Sequence, residues 1–217
     1  MTEPQDRRAQ ILATAREMFA RKGIRSTTVR EIADAVGVLS GSLYHYFDSK
    51  DTMVEEILMG FLDAIRAQYA EVLTRNEGAA QSLRDLVYAS LEVAREQPDA
   101  TAIYQNELQY LRETPRFKDV QTAAAEVQEV WLGILERGVA DGSFRDDIPP
   151  RVFHRLIRDA VWLSVRGHRG DGGYTTGQLA DAITSIFLDG FSARPAAGGS
   201  RPAAGGSRPG KVAATTS

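Results

Sequence analysis

Between Thr27 and Lys50 the chain gathers side chains that bind rather than react: the hydroxyls of Thr27, Thr28, Ser40, Ser42, Tyr44 and Tyr46, the imidazole of His45 and the ammonium of Lys50. Ser40, Gly41 and Ser42 are small enough for close approach to a major groove about 12 Å wide, and polar enough to reach base edges there. Phosphates are held by hydroxyls, helix-start amides and cations, which set register without reading sequence. Thr27, Thr28, Tyr44, Tyr46 and Lys50 are the candidates for that work, with Arg30 beside them and His45 a candidate for a base edge.

A second group lies far along the chain. Arg158, Trp162 and Arg166 fall at four-residue steps and so form one stripe on a helix. Two guanidiniums flanking an indole suit a ligand with both phosphates and a planar base, because guanidinium grips phosphate in a fork and indole stacks. The same stripe also suits a dimer interface, with Trp162 as anchor and the arginines paired to Asp159, Asp181 or Asp189. Covalent and metal chemistry have little to work with. There is no cysteine, no GxSxG, HExxH or Walker motif, and no GxGxxG after a strand. His154 and His168 are isolated helical histidines, so neither a catalytic residue nor a metal site is expected.

The elements that must position these groups are helices. Apolar residues recur at three- and four-residue spacing almost throughout, with no alternating strand pattern, so the chain reads as all-α. A helix is expected over 5–22, ended by Gly23. Thr28 and Glu31 make a capping box that opens a short helix to Ala35. Gly37 supplies a turn, and a second short helix runs from Ser40 to Tyr46. Ser49 caps a long helix reaching Arg75, and further helices are expected at 81–96, 99–112, 115–140, 150–168 and 176–191. Ile32, Ala33, Val36, Val38, Leu43 and Phe47 are spaced to form the core behind the reading surface.

Charge divides with this organisation. Residues 1–50 carry eight Lys/Arg against six Asp/Glu, residues 51–193 fourteen against twenty-three, and residues 194–217 four against none. The overall net charge of −3 therefore belongs to the middle of the chain, and the first fifty residues stay positive, as a nucleic-acid surface requires. From Arg194 the heptad RPAAGGS occurs twice in tandem, a composition that cannot bury a core and reads as a disordered tail. No apolar stretch is long enough to span a membrane, and the lack of cysteine fits a reducing cytoplasm.

Helix, TTVREIADAVGVLSGSLYHYFDSKD, long helix: this order resembles the TetR family of bacterial regulators nearly position by position. Thr28, Ile32, Ala33, Ala35, Gly37, Val38, Gly41, Leu43, Tyr44, Phe47, Ser49 and Lys50 stand where the family pattern has them. His45 replaces a bulkier aromatic common at that place. The resemblance implies a nine-helix, two-part architecture: a helix-turn-helix DNA-binding domain at 1–50, and an effector-binding and dimerisation domain at 51–193, with the tail at 194–217. It further implies a homodimer paired through the last two helices, a double-stranded operator and a small-molecule effector in place of a cofactor. Geometry agrees on the dimer, since one small reading head covers few base pairs.

IYQNE, PRF and especially LIRDAVWLSVR resemble one actinobacterial branch of that family, repressors of steroid-nucleus degradation that respond to a coenzyme A thioester of a ring fragment. On that resemblance Arg158, Trp162 and Arg166 hold the coenzyme A portion, and Phe61, Tyr104 and Trp131, with Met53, Ile57 and Leu108, line an apolar cavity for the ring. Gln105, Glu107 and Gln109 are polar positions beside it. The competing expectation is a TetR-type repressor of an efflux pump that responds to a lipophilic drug-like ligand, which would want buried acids and no arginine cluster.

Overall fold

The computed structural model describes residues 4–166 and 173–189, and among these every regular element is helical. In chain order they are α1 (Pro4–Lys22), α2 (Val29–Ala35), α3 (Ser40–Leu43), α4 (Lys50–Thr74), α5 (Ala79–Glu96), α6 (Pro98–Asn106), α7 (Leu108–Glu113), a 3₁₀ turn at Pro115–Phe117, α8 (Lys118–Ala140), α9 (Pro150–Arg166) and α10 (Thr176–Asp189). The expected tail at 194–217 lies outside the described residues, as does the glycine-rich stretch before Gly173.

Local chemistry explains where the first elements start and stop. At the head of α2 the Thr28 hydroxyl accepts from the Glu31 amide at 3.2 Å, and the Glu31 carboxylate accepts from the Thr28 amide at 2.9 Å, which closes the capping box. Bonding to Lys22, reinforced by the Thr28 donors, pulls the Glu31 carboxyl down to about 2. Gly37 turns the chain at φ +71°, a conformation glycine adopts freely. The Ser49 hydroxyl caps α4 through the Thr52 amide at 3.1 Å.

Two expectations are corrected. The helix expected from Ser40 to Tyr46 ends at Leu43, because the amides of His45 and Tyr46 bond three residues back, to Ser42 and Leu43, and tighten the chain into a turn. The helix expected over 99–112 is two helices, broken at Glu107, whose backbone (φ −109°, ψ 13°) leaves the helical region. This break raises the α-helix number among the described residues to ten, one more than expected.

The first three helices close on Ile11, Phe19, Ile32, Leu43 and Phe47, all essentially buried, and form a small head. Helix α4 runs out of it into the body, burying Met53, Ile57, Phe61, Ile65 and Tyr69 at four-residue steps against α5 and α8. Helices α9 and α10 cover α5 and α8 from the other side. Head and body share one continuous hydrophobic core.

Candidate functional site

Two sites emerge, one on the head and one inside the body. On the head, Gly41, Tyr44 and His45 are exposed, Ser40 and Ser42 partly so, and all five surround the buried Leu43 that anchors α3. Leu39, immediately before α3, is 79 % exposed and was not singled out by sequence. It adds an apolar contact surface to the polar ones, of the kind that meets a thymine methyl group in a groove. Thr28 is exposed, with its hydroxyl engaged in the α2 cap.

Two of the expected phosphate ligands serve the head's own structure. Thr27 is fully buried and its hydroxyl donates to the Gly23 carbonyl at 2.9 Å, so this side chain does not reach the surface. The Lys50 ammonium donates to the carbonyls of Ile24 and Thr27, at 2.7 and 2.9 Å, which ties the start of α4 to the loop after α1. These carbonyls lie beyond the end of α1, where backbone acceptors lack helical partners. Tyr46 is half-buried and packs on the core. The exposed hydroxyl of Tyr44 and the surface guanidinium of Arg30, beside Asp34, stay on the outside.

Inside the body is a cavity of about 490 Å³ between α4, α6, α7, α8 and α9. Tyr104, Trp131, Arg158 and Trp162, four of the residues expected to hold an effector, line it together. Leu108 lines it too. Phe61 stands one layer behind: it is fully buried and packs its ring against Tyr104 and Trp162, at centroid separations of 5.7 and 6.0 Å. Met53 and Ile57 are plain core, since they lie nearer the head than the cavity does. The side chain of Arg166 lies outside the described residues.

The cavity has a closed end and a mouth. Tyr69, Trp131 and His154 at one end are at most 4 % exposed. The Trp131 indole donates to the Tyr69 hydroxyl at 2.9 Å, which in turn bonds Ser90, so this wall is fixed by a buried network. Burial raises the Tyr69 phenol to about 12 and pushes the Tyr104 phenol up as well. At the other end Leu163 and Asp159 are exposed, and Arg158 donates to Asp159 at 2.7 and 3.0 Å. Arg158 therefore lines the cavity and pairs with its neighbour Asp159 on the same helix at the same time.

Sequence reading set His154 aside as an isolated helical histidine, yet it stands one four-residue step before Arg158 on the same stripe and lines the cavity with it. Burial, and then the charge of Arg158, push the His154 imidazole down to about 4. Gln105 also lines the cavity and donates to the Trp162 carbonyl at 3.1 Å, whereas Gln109 bonds Glu113 on the outside.

Glu107 faces the other way, into the head. Its carboxylate accepts from the Ile24 amide at 3.0 Å, and a Cβ on Gly23 would stand 2.9 Å from the same oxygen. Gly23 is required by its φ of +85°, and a side chain there would also push the Glu107 carboxylate off the Ile24 amide. Around the link, the Arg25 guanidinium lies over the Tyr110 ring, the Tyr110 hydroxyl donates to Asp51, and Arg116 pairs with Glu55 at 2.7 Å.

This combination, a short turn-linked reading surface and a helical body with an internal cavity, coincides with known families. Residues 11–57 match the model of the bacterial regulatory proteins of the tetR family, and residues 76–191 match the tetracyclin repressor-like C-terminal domain. The chain belongs to the TetR family. It is a regulator and not an enzyme. It is 44 % identical to the HTH-type transcriptional repressor KstR2 of Rhodococcus jostii over 86 % of this chain and 92 % of that protein. It is 40 % identical to KstR2 of Mycolicibacterium smegmatis over 88 % and 93 %. The structure of the ketosteroid transcriptional regulator KstR2 of Mycobacterium tuberculosis superposes with a TM-score of 0.77 at 38 % identity, covering 88 % of this chain and 96 % of that one. The TetR-family matches agree with the family expected from the head, and the KstR2 relatives with the steroid branch expected from the body. No helix of the described residues is long and apolar enough to cross a membrane, and they contain no cluster of metal-binding side chains.

Proposed function

We propose that this TetR-family protein is a dimeric repressor of steroid-degradation genes, released from a palindromic operator by a coenzyme A thioester of a keto-bearing ring fragment. The observation that carries the effector class is the cavity itself. Its closed end is aromatic, its volume of about 490 Å³ suits a small ring system, and its mouth holds the Arg158 guanidinium. The ring and acyl chain occupy the cavity, and the phosphates of coenzyme A lie at the mouth, where they compete with Asp159 for Arg158. The relatives' names supply the steroid context.

The mouth opens beside an unpartnered apolar face. Val152, Leu156 and Leu163 on α9 and Ile186 on α10 are all exposed, and the first three share one side of α9. A second copy of the chain covers this face in the dimer and brings two heads to the spacing of two half-sites.

Release follows from the position of α6. Tyr104 and Gln105 face the cavity, and Glu107, one residue past the end of the same helix, holds the Ile24 amide of the head. A ligand that prefers a shifted α6 favours a head position that no longer fits both half-sites, and it does so only to the extent of its differential affinity for the two states. The protein works without a cofactor and in the cytoplasm.

Gel-shift titration tests the reading. Saturating keto-acyl-CoA lowers operator affinity at least tenfold in the natural protein, and Arg158→Gln with Trp162→Ala abolishes that response while leaving DNA binding intact. Unchanged operator affinity in the natural protein sinks the effector class. A response to lipophilic cations instead favours the efflux-pump reading, against which Arg158 at the cavity mouth argues.

A further inference from the structure

We propose that His154 selects the effector at the closed end of the cavity, donating a hydrogen bond from its neutral imidazole to an uncharged ring oxygen; this rests on the acyl-CoA reading above. His154 is 4 % exposed, lines the cavity and packs beside the Trp131 ring at 5.8 Å between centroids. Among the described residues no group forms a hydrogen bond with it. An imidazole that lines a cavity and has no protein partner keeps its donor for a polar group inside that cavity.

The neighbours determine what that partner is. Of the polar groups that share the buried end with His154, the Tyr69 hydroxyl and the Trp131 indole are already bonded to each other, and the hydroxyl also to Ser90. Arg158, one turn along α9, and Asp159 beside it are the charged groups that act on His154, and Arg158 is the stronger. With burial, this keeps the imidazole uncharged at neutral pH, so it offers one N–H donor and one acceptor nitrogen. An anionic group suits Arg158 at the mouth. A ketone oxygen suits the closed end, since it accepts one bond and brings no charge into the aromatic wall. The cavity thus reads its ligand at both ends, by charge at Arg158 and by a single oxygen at His154.

The test uses two coenzyme A thioesters, one of a bicyclic keto acid and one of the same acid with the ring C=O replaced by CH₂. Calorimetry on the full-length protein is expected to show the ketone bound about tenfold more tightly. His154→Phe, which keeps a ring against Trp131, abolishes the preference by weakening ketone binding alone. His154→Gln, which keeps a donor, restores part of it, and Tyr104→Phe leaves it in place. Operator binding by each variant shows that the fold is intact. A preference that persists in His154→Phe, or that disappears in Tyr104→Phe, overturns the assignment while the acyl-CoA reading stands. Failure of the natural protein to bind either thioester overturns both.

Discussion

The head and the body solve different problems with the same kind of element. The head's chemistry sits on a contiguous stretch, so its parts are fixed by local rules: a capping box at Thr28 and Glu31, a left-handed turn at Gly37, small polar residues at the tip of α3. The body's cavity is assembled from five helices, and adjacent wall residues such as Tyr69, Trp131 and His154 are tens of positions apart in sequence. A reading surface is thus a local object and a ligand cavity a tertiary one. The two meet where Glu107 holds Ile24, and that junction is where the comparison can be broken.

The largest effect is expected at Lys50. As a phosphate ligand it would contribute affinity that falls with salt; as a tie between α4 and the loop after α1 it contributes stability. Lys50→Met removes two charge-assisted bonds and leaves the Ile24 carbonyl with only a long turn bond from the Thr27 amide. We expect about 3 kcal/mol of stability to be lost, read by denaturant unfolding. Operator affinity falls with it, but the slope of log affinity against log salt stays as it was. A slope reduced by about one unit at unchanged stability would return Lys50 to the phosphate.

Next comes the junction. Glu107→Ala frees the Ile24 amide and leaves the cavity wall untouched, because Glu107 points into the head. About 1–2 kcal/mol of stability is expected to go. More tellingly, ligand affinity in the absence of DNA stays the same while the ligand's effect on operator affinity shrinks roughly fivefold, a coupling change of about 1 kcal/mol. Full coupling in this variant would place the transmission elsewhere, with α4 itself as the natural candidate.

What the sequence disclosed follows the same division. The head was legible almost residue by residue, because caps, turns and small polar tips are one-dimensional signals. It failed where a side chain's partner is a backbone group nearby in space: nothing in the order of residues distinguishes a Lys50 that binds phosphate from one that binds the carbonyls of Ile24 and Thr27. In the body, periodicity placed Arg158 and Trp162 on one stripe, and the cavity contains both. Periodicity did not separate Phe61, one layer behind the wall, from Tyr104 on it, since both occupy buried faces of their helices. The split at Glu107 was hidden as well, for the stretch 99–112 keeps its helical spacing across the break.

A third effect belongs to the body alone. The His154 imidazole lies at about 4 in the folded protein against about 6.5 when exposed. The unfolded chain therefore takes up this proton first as pH falls. The contribution of His154 is complete above about pH 6.5 and is lost progressively down to about pH 4. Because the imidazole borders a cavity rather than packed protein on every side, only about 1–2 kcal/mol of this is expected. Denaturation midpoints of the natural protein and of His154→Phe at pH 7 and pH 5 should differ in their pH dependence by that amount. Parallel curves would mean that the imidazole is solvated and the closed end wet.

The smallest effect lies at the surface between α1 and α4. Arg8 meets Glu56 in a two-pronged contact at 2.6 and 2.5 Å, and its guanidinium also lies 4.5 Å from the Phe47 ring centroid. Geometry alone would make this a strong tie holding the head to the transmitting helix. Yet both side chains are more than a third open to water, so solvent and salt screen the attraction, and ordering two long side chains costs entropy. A double-mutant cycle with Arg8→Ala and Glu56→Ala should give a coupling of about 0.5 kcal/mol at low salt, fading as salt is added. Since Glu107 to Ile24 is a more enclosed contact, its coupling should survive the same salt. If instead the Arg8 pair proved the more salt-resistant of the two, the head would be held to the body chiefly along α4, and the route from cavity to DNA would run down that helix.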